Sequence, residues 1–177
     1  LSPIVGYTHP VYGQSGLEAS LDPYLRGLQG NPSLIIWWDH LLYGQPTEGL
    51  DIRLTLDSDL QQVTDELLGK HRGAVVLINA QTGEILAMAS HPTFDANLLD
   101  QEGMHLLQDE NAPLINRAVL GLYPARSGVE RLFPELHSAL GLFTAPDIRL
   151  PTLSGQSDGA ELRITPLQGA LVAAAFT

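Results

Sequence analysis

The chain holds one lysine, Lys70, followed directly by His71 and Arg72; the other eight basic residues are all arginine. A serine hydroxyl is a poor nucleophile until a neighbouring base takes its proton, so the supply of bases bounds the chemistry open to it. The six histidines (9, 40, 71, 91, 105, 137) show no H-x-x-x-H spacing, and there is no cysteine. Disulfides, thiolate chemistry and Cys-ligated zinc are excluded, and no metal site or cofactor is expected. Glu18 and Asp22 stand four apart, but a helix cap and a solvated face account for them. Trp37-Trp38 reads as core packing rather than as an exposed binding patch. Lys70-His71-Arg72 is too short to grip a nucleic acid.

Such groups act only if a folded scaffold positions them, and the composition provides one. Of 177 residues 44% are hydrophobic and 16% charged, with a mean hydropathy of +0.05, the balance of a folded soluble protein. Nine basic residues against 20 acidic ones give a formal charge of −11. That surface repels phosphate backbones and anionic lipid head groups, so no nucleic acid partner is expected. No apolar run approaches the roughly 20 residues that span a bilayer, and no basic n-region with an apolar h-region opens the chain. Any membrane anchor is expected outside this sequence.

Residues 1–50 are rich in Gly and Pro. Ser15 to Glu18 forms a capping-box pattern ahead of Leu17, Leu21 and Leu25, and Pro23 limits that helix. Leu34 to Trp38 is apolar enough for a buried strand. Residues 51–57 alternate Ile52, Leu54 and Leu56 with polar positions, predicting a half-buried strand. Ser58 to Gln61 is a second capping box, with Leu60, Val63, Leu67 and Leu68 as the apolar face of a helix that Gly69 ends. Residues 73–80 and 84–90, joined across Gln81-Thr82-Gly83, predict a hairpin. Residues 91–131 look loop-rich, with a short helix near Met104–Gln108, and Phe133–Leu142 reads as a further helix. Thr165-Pro166-Leu167-Gln168 supplies an N-cap, a Pro at N1 and a Gln at N3 to a helix apolar on every face, which must therefore be buried. Strand, helix, hairpin and buried helix together predict an α+β layered domain with an antiparallel sheet and packed helices.

Read in order, these segments resemble the transpeptidase domain of penicillin-binding proteins. Leu54-Thr55-Leu56-Asp57 with Leu60-Gln61 is similar to the family's first strand and helix. Gly73-Ala74-Val75-Val76 through Thr82-Gly83-Glu84 to Ser90 resembles its first hairpin, and His91 to Asn97 the segment after it. Asn116-Arg117-Ala118 and Tyr123-Pro124 resemble the approach to the nucleophile. Leu140-Gly141-Leu142 with Asp147 to Pro151 is similar to a later loop, and Thr165 to Gln168 to a following helix. Tyr12 to Glu18 and Asp22 to Gly27 resemble the linker that precedes the domain in class B members. The resemblance implies a reduced version of the serine β-lactamase/penicillin-binding transpeptidase fold, with residues 1–50 as a linker or arm and 51–177 as a shortened transpeptidase-like domain.

It also implies a serine acyltransferase built on Ser-x-x-Lys, Ser-x-Asn and Lys-Thr-Gly motifs. This sequence departs from all three. Counting from Tyr123-Pro124, the nucleophile position falls on Ser127 and the lysine position on Glu130. No serine has Lys three residues on or Asn two residues on, and Lys-Thr-Gly is absent. The interval from Ser127 to Thr165 is too short for the helical subdomain that carries Ser-x-Asn in family members. A carboxylate at Glu130 is a far weaker base than a desolvated lysine. Arg126, Gly128 and Val129 also replace the family's usual neighbours. Ser127 therefore reads as a turn or N-cap serine, and no catalytic residue is expected.

What the resemblance implies is a non-catalytic domain of peptidoglycan synthesis, a scaffold for protein partners, held outside the cytoplasm by an anchor elsewhere. Two alternatives stand beside it. One is an active D,D-transpeptidase or carboxypeptidase that binds penicillin at Ser127 and is completed by residues outside this chain. The other is a module that binds peptidoglycan stem peptides without turnover, for which an acidic chain is poorly suited.

Overall fold

The computed structural model describes residues 1–32, 34, 38, 42, 44, 48–125, 137–158 and 161–176. Its architecture is α+β, as the pattern predicts. The N-terminal segment holds α1 (Ser2–Val5), a two-residue pair β1 (Thr8–His9) and β2 (Gly13–Gln14), and two short helices, α2 (Gly16–Ser20) and α3 (Asp22–Leu25). Pro23 stands in the first turn of α3, so the expected single helix is two. The apolar run Leu34–Trp38 departs from expectation. Leu34, Trp38 and Leu42, the described residues there, are helical and 72%, 48% and 53% exposed. Trp38 is not core, and Trp37 lies outside the described residues.

Residues 51–57 form no strand. They run extended beside the hairpin, joined by two bonds: Asp57 N–H donates to the Leu86 carbonyl at 2.8 Å, and Thr55 Oγ1 donates to the Ile85 carbonyl at 2.7 Å. Ile52 and Leu54 stay 38% exposed, so the alternation finds only half a burial partner. Helix α4 (Ser58–Leu68) follows, and its N-cap is Asp57, not Ser58. The Asp57 carboxylate accepts from the Asp59 and Leu60 amides at 2.9 and 3.0 Å, beside the positive end of the helix. Asp57→Ala is expected to cost about 1 kcal/mol, whereas Ser58→Ala stays within about 0.5 kcal/mol; thermal denaturation midpoints of the two variants check this.

The hairpin is β3 (Gly73–Ile78) and β4 (Ile85–His91), antiparallel, with Val75 opposite Ala89 and Val76 opposite Met88. Its turn is fixed by Asn79, whose Oδ1 accepts from the Gln81 amide at 3.0 Å, and by Gly83 at φ +77°. β4 is buried from Ala87 through His91, with α4 packed against it. The 91–131 region is more helical than expected: α5 spans Leu99–Gln108 and α6 spans Arg117–Leu120. β5 (Tyr123–Pro124) and β6 (Gln156–Ser157) flank β7 (Leu162–Ile164) in an antiparallel sheet of order β5-β7-β6. Of the helix expected over Phe133–Leu142, the described part, 137–142, is a run of turns.

Helix α7 (Pro166–Ala174) carries the capping box as written in the sequence. Thr165 Oγ1 accepts from the Gln168 amide at 3.2 Å, and the Gln168 side chain accepts from the Thr165 amide at 3.1 Å. The helix is not buried all round, since Leu171 is 39% exposed. Among the described residues, two apolar clusters make the core. Ile4, Met88, Ala118, Val119, Leu150 and Leu167 form one; Leu142, Leu162, Ile164 and Val172 form the other.

Candidate active-site surface and its family

Helix α4 meets the hairpin through a side chain the apolar pattern passes over. Gln61 is 2% exposed; its Oε1 accepts from the Met88 amide at 2.8 Å and its Nε2 donates to the Met88 carbonyl at 3.0 Å. Met88 therefore has its main-chain groups on the edge away from β3 paired as a neighbouring strand would pair them. With Asp57 on Leu86, successive outward groups of β4 are satisfied. Leu60, Val63 and Leu67, expected to face the core, are instead 39%, 51% and 78% exposed.

From β4 the polar contacts lead toward Tyr123. Asn116 caps α6, its Oδ1 accepting from the Ala118 amide at 3.1 Å while its Nδ2 donates to the Pro3 carbonyl at 3.0 Å. Arg117, 4% exposed, donates to the carbonyls of Ala112, Ile115 and Asn111 and binds the loop before α6 into a fixed shape. Burial, with the charge of Arg72, holds its guanidinium below the ordinary arginine value. Its role is structural: all three partners are main-chain oxygens. Beyond it, β5 pairs with β7, and the Ala125 amide donates to the Leu162 carbonyl at 2.8 Å.

The next residues, including Ser127 and Glu130, lie outside the described residues. Just before them in the chain, Tyr123, Pro124 and Ala125 border an open depression of about 290 Å³, lined also by Gly73, Ala74 and Thr165 among others. Among the described residues, no amine, imidazole or carboxylate is among its lining side chains. Thr165 is fully buried, with its hydroxyl oxygen already accepting from the Gln168 amide, and among the described lining residues Tyr123 is the one titratable group. Lys70 is exposed in the turn after α4.

The other sequence candidates are structural as well. Glu18 accepts from Thr8 Oγ1 at 3.2 Å. Asp22 accepts from Gln14 Nε2 at 2.9 Å and pairs with Arg26 at 3.5 Å. Among the described residues, no group of three or more His, Asp and Glu converges to hold a metal ion, and no helix is long and apolar enough to cross a membrane. Gln61 reads in the sequence as the end of a capping box and Asn116-Arg117 as part of a family segment, and neither reading reveals the buried hydrogen bonds these side chains make. A polar position opposite a helix's apolar face, beside a strand with no second neighbour, is the signal that finds Gln61.

A hairpin under α4, with α6 packed on both of its strands, is the part of the fold that known proteins match. Residues 73–129 match the penicillin binding protein transpeptidase domain, and together with the relatives that follow this supports a penicillin-binding transpeptidase domain in this chain. Among curated relatives, the peptidoglycan D,D-transpeptidase MrdA of Acinetobacter baumannii is 38% identical over 130 residues, covering 67% of this chain and 19% of its own. MrdA of Escherichia coli K12 is 38% identical over 135 residues, covering 70% of this chain and 21% of its own. The chain thus spans about a fifth of the length of these relatives. Among solved structures, PBPA from Mycobacterium tuberculosis superposes with a TM-score of 0.61 at 28% identity, covering 70% of this chain and 31% of that one. A D,D-transpeptidase domain from Eggerthella lenta gives 0.55 at 32% identity, covering 70% and 25%.

Proposed function

We propose that this chain is a non-catalytic penicillin-binding-protein-like domain of peptidoglycan synthesis, acting outside the cytoplasm as a scaffold for protein partners. One observation carries the reading: within a chain that follows the family's order, no lysine stands at the base position three residues after Ser127, where Glu130 is found. Among the described residues, the lining of the depression beside Ala125 holds no amine, imidazole or carboxylate, which is in keeping with that reading. An alcohol without a strong base within reach does not attack a β-lactam or a peptide carbonyl at a useful rate. Residues 1–50 act as the arm leading into the domain.

A second reading rests on the relatives' lengths. Because the chain spans about a fifth of them, residues outside it would complete an active transpeptidase with Ser127 as nucleophile. Fluorescent penicillin distinguishes the two. Incubated with the 177-residue chain beside an active relative, it is expected to label the relative alone. A covalent adduct mapped by mass spectrometry to Ser127 would overturn the scaffold reading.

A further inference from the structure

We propose that the outer edge of β3 pairs antiparallel with the same edge of a second copy of this chain, on a two-fold axis through Val75.

Facing residues of an antiparallel pair alternate along the strands. One pair exchanges its main-chain bonds; the next turns those groups outward. Met88 turns its groups outward, to Gln61, and Val76 faces Met88 in the ladder. Val76 therefore turns its own amide and carbonyl to the opposite edge of the hairpin. The same alternation puts the groups of Ala74, which faces Ser90, on that edge. Among the described residues β4 is the one strand paired with β3, and neither Ala74 nor Val76 takes part in any other hydrogen bond. The side chains of both pack on the main core cluster, with α6 and α7 over them, so the unmet demand is an edge and not an apolar face. Aligned amides and carbonyls without partners are a template for another strand.

The charges along the hairpin say which strand fits. Lys70 and Arg72 stand just before β3, both exposed. Gly73 to Gly83 carry no charge, and Glu84, also exposed, closes the turn. A second β3 laid antiparallel brings the cations of each copy toward the turn of the other, where Glu84 waits. The edge is thus complementary to itself, which a strand from an unrelated protein does not require. Centred on Val75, the axis sets Ala74 of one copy opposite Val76 of the other and uses every one of the free groups in both. The formal charge of −11 opposes the approach of two copies, but at about 0.15 M salt it is screened beyond about 8 Å, and the strand itself is neutral. None of this depends on the chemistry of Ser127.

Sedimentation equilibrium of the 177-residue chain, from micromolar to millimolar concentration, is expected to show monomers in exchange with dimers. A monomer throughout overturns the proposal and leaves the edge to a strand from other polypeptide. The chain has no cysteine, so Val75→Cys gives each copy a single thiol. Its two copies face each other across the axis, with Cα atoms about 4.5 Å apart, within reach of a disulfide. Mild oxidation is expected to link Val75→Cys and to leave Leu77→Cys, on the same face but off the axis, unlinked. Failure of Val75→Cys to link, or equal linking of the two, sinks the pairing. Glu84→Arg is expected to raise the dimer dissociation constant about fivefold, and adding Arg72→Glu to restore it, as two symmetric surface ion pairs imply. A double variant no tighter than Glu84→Arg alone contradicts the antiparallel arrangement.

Discussion

Gln61→Leu is expected to destabilise the fold by about 2–4 kcal/mol, although it puts an apolar side chain of similar size into a buried position. Gln61 pairs both main-chain groups of Met88, and leucine offers neither a donor nor an acceptor. Each buried polar group left without a partner costs about 1–3 kcal/mol, and here the lost groups are an amide and a carbonyl on the outer edge of one buried strand. Leu67→Ala, four-fifths exposed on the same helix, is expected to stay within about 0.5 kcal/mol. Urea denaturation of both variants reads the contrast. If Leu67→Ala costs more than Gln61→Leu, the face of α4 assigned here to the hairpin is the wrong one.

The second large effect is expected in the main core. Leu167 is 1% exposed, in the first turn of α7, and packs in the cluster with Met88, Val119 and Leu150. Leu167→Ala removes three heavy atoms from a site walled by β-strand and helix backbone, which cannot collapse fully into the space. The loss is expected at about 2–5 kcal/mol. Since domains of this size are stable by about 5–15 kcal/mol, such a loss takes a large share of the total. Calorimetric unfolding of Leu167→Ala against Leu171→Ala checks the assignment, because Leu171 lies on the exposed side of the same helix. Equal midpoints for the two would contradict it.

These two variants mark where the sequence was readable. The hairpin 73–91 and the capping box at Thr165 were legible because their signals are local: β-branched alternation about a Gly turn, and a hydroxyl three residues before a glutamine. Family order was legible for the same reason, segment by segment. The burial face of α4 was not. Leu60, Val63 and Leu67 form a better apolar stripe than Gln61 and Thr64, yet the helix turns the polar pair inward. An unpaired strand edge needs hydrogen bonds more than it needs hydrocarbon, and a side-chain periodicity cannot register a main-chain demand. The strand expected at 51–57 failed similarly, as Asp57 and Thr55 reach β4 at single points without building a ladder. Asp57 displaced Ser58 as cap because a carboxylate one residue earlier reaches two amides at once. As for the site, the absence of a lysine at the base position is plain in the sequence, whereas the apolar lining of the approach emerges only when β3, β5 and the start of α7 come together.

The sealing of β4 by Asp57 and Gln61 has a bearing on how copies of this protein could meet. A sheet open on both sides recruits neighbours without limit, giving fibres. With that flank taken by the side chain of Gln61 and the amide of Asp57, the outward main-chain groups of Leu86 and Met88 are already spent and no further strand can add to β4 there.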